Sequence, residues 1–247
     1  MRAIILSAGK GSRMYPLTAN TPKCLIDIGE GKTILENQLD VLRESGIDDV
    51  YIVAGYRIEQ VRAKISGCNL GNMRVQVLHN PFYATSNNIV SLWLALLVTD
   101  GPCISINGDD VFKPSVIKAL LATKGDVVMT IDRKEHYDAD DMLVITDDGL
   151  VRSVGKDLDE KRANGESVGI IKYSPRGLER LKIILDLMLR EEKNHQIFYL
   201  AALQEIMDQG FSVASCEIEP HDWAEIDFHP DVNDVREKID VFIQKVM

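Results

Sequence analysis

The apolar positions in the first half of the chain fall into short runs separated by amphipathic stretches. Four runs are continuous enough to predict buried strands, at residues 3–6, 49–54, 75–78 and 103–106. The stretches that carry apolar residues at helical spacing are 33–44, 58–65 and 88–98. Thr33 is a suitable N-cap for the first helix, and Gly46 is a suitable stop. Strands that alternate with helices predict a mostly parallel, doubly wound sheet with helices on both faces.

A different pattern begins at residue 127. Short apolar runs joined by charged turns predict strands at 127–131, 143–146, 151–154 and 168–173. Such strands suggest a small antiparallel subdomain. Helical stretches follow at 175–192, 197–209 and 232–246, with a strand at 212–217 before the last of them. The sequence therefore predicts an α/β fold, a Rossmann-like doubly wound mixed sheet with a small antiparallel subdomain.

The length and composition favour a single globular domain over 1–247. The chain has 247 residues, of which 45% are hydrophobic and 27% are charged. No stretch reaches the ~18 apolar residues that a membrane helix needs, and the apolar run after Arg2 is too short for a signal peptide. The four cysteines lack metal-ligand spacing, which argues against zinc and favours reduced thiols in a cytoplasmic protein.

The net charge limits the partners of the protein. A formal charge of −10 argues against a nucleic-acid partner, because phosphate backbones are bound by clustered lysine and arginine. An acidic protein that binds a triphosphate is expected to supply part of the counter-charge as a divalent ion. The few cations close to a phosphate-binding loop then gain importance.

Such a loop is predicted by residues 6–23, which read LSAGKGSRMYPLTANTPK. Small residues directly after a buried strand allow backbone amides to approach phosphate oxygens, and Arg13 and Lys23 add positive charge. The dinucleotide fingerprint requires a glycine or alanine where this chain has Met14, and the kinase-type phosphate loop requires a Gly-Lys-Ser/Thr sequence that is absent. Neither alternative pattern fits.

The segment resembles the signature G-x-G-S/T-R-x-x-P-L-T-x-x-x-P-K of the nucleotidyltransferases that make nucleoside-diphosphate sugars and alcohols. Every fixed position is matched. The segments PFYATSNN, GKD and WAEID look most like the phosphocholine cytidylyltransferase branch. The resemblance implies a glycosyltransferase-A-like fold with a nucleotide-binding half (1–125) and an acceptor-binding half with C-terminal helices (126–247). It also implies Mg²⁺-dependent transfer of CMP from CTP to a small phosphorylated alcohol, with pyrophosphate as the second product.

Two aspartates are candidate magnesium ligands. Asp109 follows a buried strand and a glycine, a placement that exposes a carboxylate at the strand end. Asp227 ends the WAEID segment, and both positions match carboxylates that the resemblance assigns to the metal. A turn aspartate remains the alternative for each. Asp110 is expected to point elsewhere, because neighbouring side chains of an extended backbone face opposite sides.

The resemblance also implies roles around the nucleotide. Arg13 would bind the leaving β- and γ-phosphates, Lys23 would lie near the α-phosphate, and Asp109 completes the catalytic set. The remaining residues expected around the nucleotide are Leu6, Ala8, Gly9, Gly11, Ser12, Gly55, Tyr56, Asn80, Ser86, Asn87 and Asn88. Asparagine and serine suit base and ribose hydrogen bonds because they both donate and accept, although Asn88 fits a helix cap equally well.

The acceptor side is less determined. Lys156 matches the position of a lysine that related enzymes place against the acceptor phosphate, with an ordinary surface lysine as the alternative. Glu166 and Gly169 resemble the acceptor-binding wall, and Asp132 suits a cationic or hydroxyl-rich acceptor. A quaternary ammonium would favour an aromatic box, for which the candidates are Tyr83, Trp93, Tyr137, Tyr173, Tyr199 and Trp223.

Two other functions stay open at this point. One is a sugar-1-phosphate nucleotidyltransferase that uses UTP, dTTP or GTP. The other is a catalytically silent sensor of nucleotides or sugar phosphates, which would be expected to lack Arg13, Lys23 or Asp109. All three are present. The sequence leaves open the acceptor, the preferred triphosphate, the number of Mg²⁺ ions and whether the protein forms a homodimer.

Overall fold

The computed structural model describes residues 1–138, 140–237 and 242. The strands in these ranges are β1 (Arg2–Ser7), β2 (Asp27–Gly29), β3 (Lys32–Thr33), β4 (Asp49–Ala54), β5 (Arg74–His79), β6 (Cys103–Asn107), β7 (Asp110–Phe112), β8 (Val127–Asp132), β9 (Leu143–Asp147), β10 (Leu150–Gly155), β11 (Gly165–Tyr173), β12 (Val213–Glu217) and β13 (Trp223–Glu225). The α-helices are α1 (Ile34–Glu44), α2 (Ile58–Gly67), α3 (Asn88–Leu96), α4 (Pro114–Ala122), α5 (Pro175–Met188), α6 (Leu200–Asp208) and α7 (His229–Glu237).

A nine-stranded mixed sheet organises the described chain, in the order β5-β4-β1-β6-β11-β8-β12-β10-β9. Its first four strands are parallel, so β1 pairs with both β4 and β6, with Arg2 opposite Asp49 and Cys103. The predicted α/β mixed sheet is confirmed. Because these strands run the same way, their carboxyl ends meet at one edge of the sheet.

The strands of the second half continue the same sheet. β11 lies antiparallel to β6 and β8, while β12 runs parallel to β8. The antiparallel character is strongest at the end of the sheet, where β9 and β10 form a hairpin and β9 also pairs with the start of β11. The register of β11 shifts between Ser167 and Ile171, where Gly169 has a φ of +78°.

Helices cover both faces of the sheet. On one face, α3, α5 and α6 enclose a core that includes Ile4, Leu92 and Leu203, and on the other, α1, α2 and α4 enclose a core that includes Ile5, Leu42 and Ile117. Thr33 caps α1 as predicted, in a reciprocal capping box with Glu36.

Some elements differ from the sequence-based expectation. α4 was not predicted, although its buried positions Val116, Ile117 and Leu120 have helical spacing after a proline at its first turn. α5 ends at Met188, before the expected 192, and a 3₁₀ turn spans Glu192–Gln196. α7 begins at His229, three residues before the predicted start. The rest of the predicted 232–246 helix, beyond 237 and apart from 242, lies outside the described residues.

A two-stranded sheet brings the C-terminal segment to the main sheet. β13 pairs antiparallel with β7, so that Glu225 lies opposite Asp110, and the Ile226 amide donates to the Asp109 carbonyl at 3.1 Å. This pairing places the segment after β13 beside the carboxyl end of β6. None of the helices in the described ranges has the length and apolar character needed to cross a membrane.

Candidate active site

A cleft of about 330 Å³ opens at the carboxyl ends of β1 and β6. Most of the predicted nucleotide and metal residues line it, together with Lys156 and Glu166 from the acceptor set. The predicted residues on its wall are Leu6, Ala8, Gly9, Gly11, Ser12, Arg13, Lys23, Asn80, Ser86, Asn87, Asn88, Asp109, Lys156, Glu166 and Asp227. Most of the residues singled out from the sequence therefore lie together on the lining of one cleft.

The glycine-rich turn is built for close approach. Gly11 has a φ of +61° and begins the 3₁₀ turn Ser12–Met14, and the Thr18 hydroxyl donates to its carbonyl at 2.7 Å. A Cβ at Gly11 would lie 3.1 Å from the Lys23 side chain, so glycine lets the lysine pass beside the turn. At Gly9, in contrast, no described heavy atom lies within 4 Å of such a Cβ, which leaves this stretch of backbone open to the cleft.

Three carboxylates converge at the floor of the cleft. Asp109, Glu225 and Asp227 each place an oxygen within 4.8 Å of the others. The sequence identified two of them, and Glu225 was missed. A signal existed, because residues two apart in an extended segment share a face, so that Glu225 and Asp227 project the same way. Asp110 instead lies buried outside this group, as expected from the alternation.

Two cations cover the carboxylates. The Lys23 ammonium donates to Asp109 Oδ2 at 2.7 Å and to Asp227 Oδ1 at 2.6 Å, and Arg13 donates to Asp227 Oδ2. Burial alone would lower the pKa of Lys23, but the charges of Asp109 and Asp227 outweigh it and raise that pKa. Burial would likewise raise the pKa of Asp227, yet Lys23 and Arg13 hold it below the usual value.

Glu225 differs electrostatically from its neighbours. Its pKa rises to about 8, because the cleft wall strips part of its hydration and the charges of Asp109 and Asp227 repel a third negative charge. The cluster thus carries three acidic groups against the two cations that contact it. An oxygen-only set of carboxyl donors fits Mg²⁺, which binds carboxylates and keeps several waters. Asp109, Glu225 and Asp227 are the residues that could hold the ion.

The polar residues predicted to contact the nucleotide base make hydrogen bonds within the protein that hold loops in place. Asn80 donates to Ser91 Oγ at 2.9 Å and accepts from the Phe82 amide, and the Ser86 hydroxyl donates to the Phe82 carbonyl. The Asn88 side chain accepts from the Tyr199 amide at 2.9 Å, which ties α3 to α6. These side chains hold the backbone in the part of the cleft where the nucleotide is predicted to bind.

Asn87 and the segment around Tyr56 complete this part of the cleft. Asn87 caps α3 and donates to the Gln196 carbonyl. Tyr56 and Gly55 lie outside the cleft lining; the Tyr56 hydroxyl donates to the Ala19 carbonyl at 2.6 Å, and a Cβ at Gly55 would fall 2.4 Å from Tyr83 Cβ. Tyr83 lines the cleft, whereas Gly55 and Tyr56, which were predicted to line it, do not.

Lys156 lines the part of the cleft where the acceptor residues are predicted. Its ammonium lies 3.9 Å from Asp140 Oδ1 and 5.2 Å from the centre of the Phe198 ring. The same Asp140 oxygen lies 3.8 Å from Arg13 Nη2, so one carboxylate sits between the two cations. Phe198 and Asp140 were not predicted, because a charged loop and a residue before α6 carry no local signal for a cleft formed by tertiary contacts.

Two acidic side chains, Asp141 and Glu166, line the cleft near Lys156 and share one lysine. Lys134 contacts Glu166 at 2.9 Å and Asp141 at 2.8 Å, and burial raises the pKa of Glu166 to about 7 despite the lysine. Two predicted acceptor residues lie away from the cleft lining. Asp132 accepts from Trp223 Nε1 at 3.1 Å, and Gly169 lies under the Asn107 side chain, which a Cβ at that glycine would strike.

The predicted aromatic candidates are dispersed. Tyr83 and Tyr199 line the cleft, Trp93 lines a separate surface cavity, and Tyr173 lies in the core. They do not form a box around one point, because the strands and helices that carry them face different layers of the fold. A further aromatic side chain, Phe198, lines the cleft beside Lys156.

A glycine turn with two cations that faces clustered carboxylates beyond parallel strands defines a nucleotidyltransferase domain. The sequence agrees, since the MobA-like NTP transferase domain matches residues 3–204, and the chain belongs to this family. It is 40% identical over 97 residues to the choline-phosphate cytidylyltransferase of Streptococcus pneumoniae, a match that covers 38% of each chain. It is 23% identical over 254 residues to the CTP:phosphoglutamine cytidylyltransferase of Campylobacter jejuni, covering 94% of this chain and 98% of that one.

The fold agrees with a solved structure. The CTP:phosphocholine cytidylyltransferase of Streptococcus pneumoniae superposes with a TM-score of 0.79, at 24% identity, over 96% of this chain and 98% of that chain. The relatives confirm the resemblance to nucleotidyltransferases and their cytidylyltransferase branch.

Proposed function

We propose that the protein is an Mg²⁺-dependent cytidylyltransferase that transfers CMP from CTP to a small phosphorylated alcohol of the phosphocholine type. The observation that carries the proposal is the line of charges across the cleft. The carboxylate cluster and Lys23 lie at one end, Arg13 and Asp140 lie between, and Lys156 lies at the other end. Such a line suits two phosphate-bearing substrates that meet end to end.

The reaction expected of this arrangement needs no covalent enzyme intermediate. An oxygen of the acceptor phosphate attacks the α-phosphorus of CTP, the bond from that phosphorus to the bridging oxygen breaks, and pyrophosphate leaves with the electron pair. Bound Mg²⁺ would neutralise charge on the phosphates, and Asp109, Glu225 and Asp227 would hold it. The residues act by positioning and by charge neutralisation.

The cations divide between the two substrates. The open backbone at Gly9 and the turn at Gly11 and Ser12 suit the triphosphate, and we assign Arg13 to the β- and γ-phosphates and Lys23 to the α-phosphate. We assign Lys156, whose ammonium lies 3.9 Å from Asp140 Oδ1, to the acceptor phosphate.

The acceptor head group is proposed from the wall beyond Lys156. Asp141 and Glu166 are two carboxyl groups that share the single cation Lys134, and Phe198 supplies a ring face that is suited to a cation. A quaternary ammonium or primary amine fits this wall better than the hydroxyls of a hexose. We place the reaction in the cytoplasm, a proposal supported by the four free cysteines.

The test is pyrophosphate release with Mg²⁺. CTP, UTP, dTTP, ATP and GTP would each be combined with phosphocholine, 2-aminoethylphosphonate, inositol-1-phosphate, glycerol-3-phosphate and glucose-1-phosphate. The proposal expects release with CTP and a nitrogen-bearing acceptor. Release only with glucose-1-phosphate would support a sugar nucleotidyltransferase in its place, and no release in any combination would favour a binding protein.

A further inference from the structure

Each of the three cations that line the reactive part of the described cleft is paired with a carboxylate of the same cleft. Lys23 contacts both Asp109 and Asp227, and Arg13 contacts Asp227. Lys156 lies near Asp140. The groups assigned to the phosphates and the groups assigned to the metal therefore neutralise one another in this arrangement.

The Lys23 ammonium is in direct contact with the Asp109 and Asp227 carboxylates. Its side chain is only 13% exposed, and its partners Asp109 and Asp227 are 25% and 21% exposed. Asp227 is occupied on both oxygens, since Oδ1 accepts from Lys23 and Oδ2 accepts from Arg13. Mg²⁺ requires carboxylate oxygens at about 2.0–2.1 Å, so an ammonium at hydrogen-bond distance from the same oxygens opposes the ion by repulsion.

We propose that Lys23 and Arg13 are internal counter-ions that exclude the divalent ion until a triphosphate draws them away. The inference rests on the proposed metal site. The phosphates take the cations, the carboxylates take the metal, and neither set of charges is left unpaired at any stage. The metal and the triphosphate consequently bind cooperatively, each raising the affinity of the other by the same factor.

The physical reason lies in the cost of the alternatives. Three carboxylates within 4.8 Å of one another repel strongly when no cation is present, and a partly buried lysine without an anion loses hydration without compensation. Pairing the two sets removes both costs in the absence of substrates. The same pairing must be broken before the metal binds, which makes metal binding in the absence of nucleotide weak.

The test measures Mn²⁺ binding to the full chain without nucleotide, by the loss of the free Mn²⁺ signal in electron paramagnetic resonance. Lys23→Gln removes the ammonium that bridges two carboxylates of the cluster, and Arg13→Gln removes a half-exposed cation that contacts one of them, Asp227, and also Asp140. Lys156→Gln is the matched control, because it removes the same charge from the same cleft without contact to Asp109 or Asp227. Asp109→Asn in the Lys23→Gln background reports whether the ion binds at the cluster.

The proposal expects Lys23→Gln to bind Mn²⁺ at least about tenfold more tightly than the unchanged protein, because removing a charge of the same sign as the ion at this range shifts the binding equilibrium by roughly one to three powers of ten. Arg13→Gln is expected to show a smaller gain and Lys156→Gln little change. Arg13 is 45% exposed, so its variant keeps the test informative if Lys23→Gln does not fold.

Other results would overturn the inference. Equal Mn²⁺ affinity in the Lys23 and Arg13 variants and the unchanged protein, lost on Asp109→Asn, would retain the metal site and remove the competition. An equal gain in Lys156→Gln would reduce the effect to the general charge of the cleft. Absence of Mn²⁺ binding in every variant would overturn both this inference and the metal assignment of the proposed function.

Discussion

Lys23 and Asp227 are 204 positions apart in the sequence, and Lys23 Nζ lies 2.6 Å from Asp227 Oδ1. The contact joins the end of the glycine-rich segment to the segment after β13. It exists because β13 pairs with β7, which in turn follows the turn that carries Asp109. The predictions below concern the residues that this contact brings together and the backbone that supports them.

Asp109→Asn is expected to lower turnover by ~10²-fold or more, because it removes charge from the cluster at the point where the phosphates must be neutralised. Its thermal midpoint should stay close to that of the unchanged protein, since the side chain lies at a loop and Lys23 keeps its contact with Asp227. The measurement is pyrophosphate release together with a thermal unfolding curve. Asp100→Asn is the control, because Asp100 is 96% exposed, pairs with Lys182 and does not line the cleft. Full activity in a folded Asp109→Asn protein would contradict the metal assignment.

Lys156→Gln is expected to raise the KM for the acceptor by roughly tenfold, equivalent to about 1.4 kcal/mol, with little change in the KM for CTP. The reason is that Lys156 is the cation assigned to the acceptor phosphate, whereas Arg13 and Lys23 are assigned to CTP. Initial rates at varied acceptor and fixed CTP give the answer. Lys161→Gln, an exposed lysine in the following turn, should leave both constants unchanged. An unaltered acceptor KM in Lys156→Gln would return this residue to a role at the surface.

Gly55→Ala and Gly9→Ala form a pair with opposite expected effects. The added Cβ at Gly55 would lie 2.4 Å from Tyr83 and 2.8 Å from the Ala8 carbonyl, so the free energy of unfolding should fall by about 1–3 kcal/mol. At Gly9 the methyl group meets open space, so stability should hold while the KM for CTP rises. Urea unfolding and CTP kinetics on both proteins separate the two effects. Equal stability of the two variants would show that the contact around Gly55 is not constrained.

Glu166 predicts a pH dependence of stability. Its pKa is about 7 in the folded protein against 4.5 for an ordinary glutamate, so the native state retains a proton that the unfolded chain releases between these values. The native state binds the extra proton, and the free energy of unfolding therefore decreases as the pH rises from about 4.5 to 7. Above about pH 7 the Glu166 carboxylate is charged in the native state, and the full free-energy cost of burying that charge lowers the stability.

Glu166→Gln is accordingly expected to lose less stability than the unchanged protein between pH 5 and pH 8, by on the order of 1 kcal/mol. Urea unfolding at the two pH values measures the difference. Glu160→Gln, at an exposed position, should follow the unchanged protein. Identical pH dependence in the Glu166→Gln protein would show that Lys134 compensates the buried charge completely.

Much of the fold was predictable because its signals are local. Apolar runs and helical spacing predicted the four parallel strands and the helices between them, and Thr33 marked the start of α1. α4 was not predicted, although its apolar residues have regular helical spacing. A short strand before Asp227 was expected, but its pairing with β7 could not be predicted, because three-residue strands gain their stability from a partner that is distant in the sequence.

The candidate site divides in the same way. The sequence by itself determined the glycine turn, Arg13, Lys23 and the exposed carboxylate after β6, since each depends on a motif or on the end of a strand. Only the tertiary structure decided that Glu225 joins the carboxylates, that Asp140 sits between two cations, and that Asn80 is committed to bracing a loop. Local backbone preferences act over a few residues, whereas these contacts follow from strand pairing and loop packing between segments far apart in the chain.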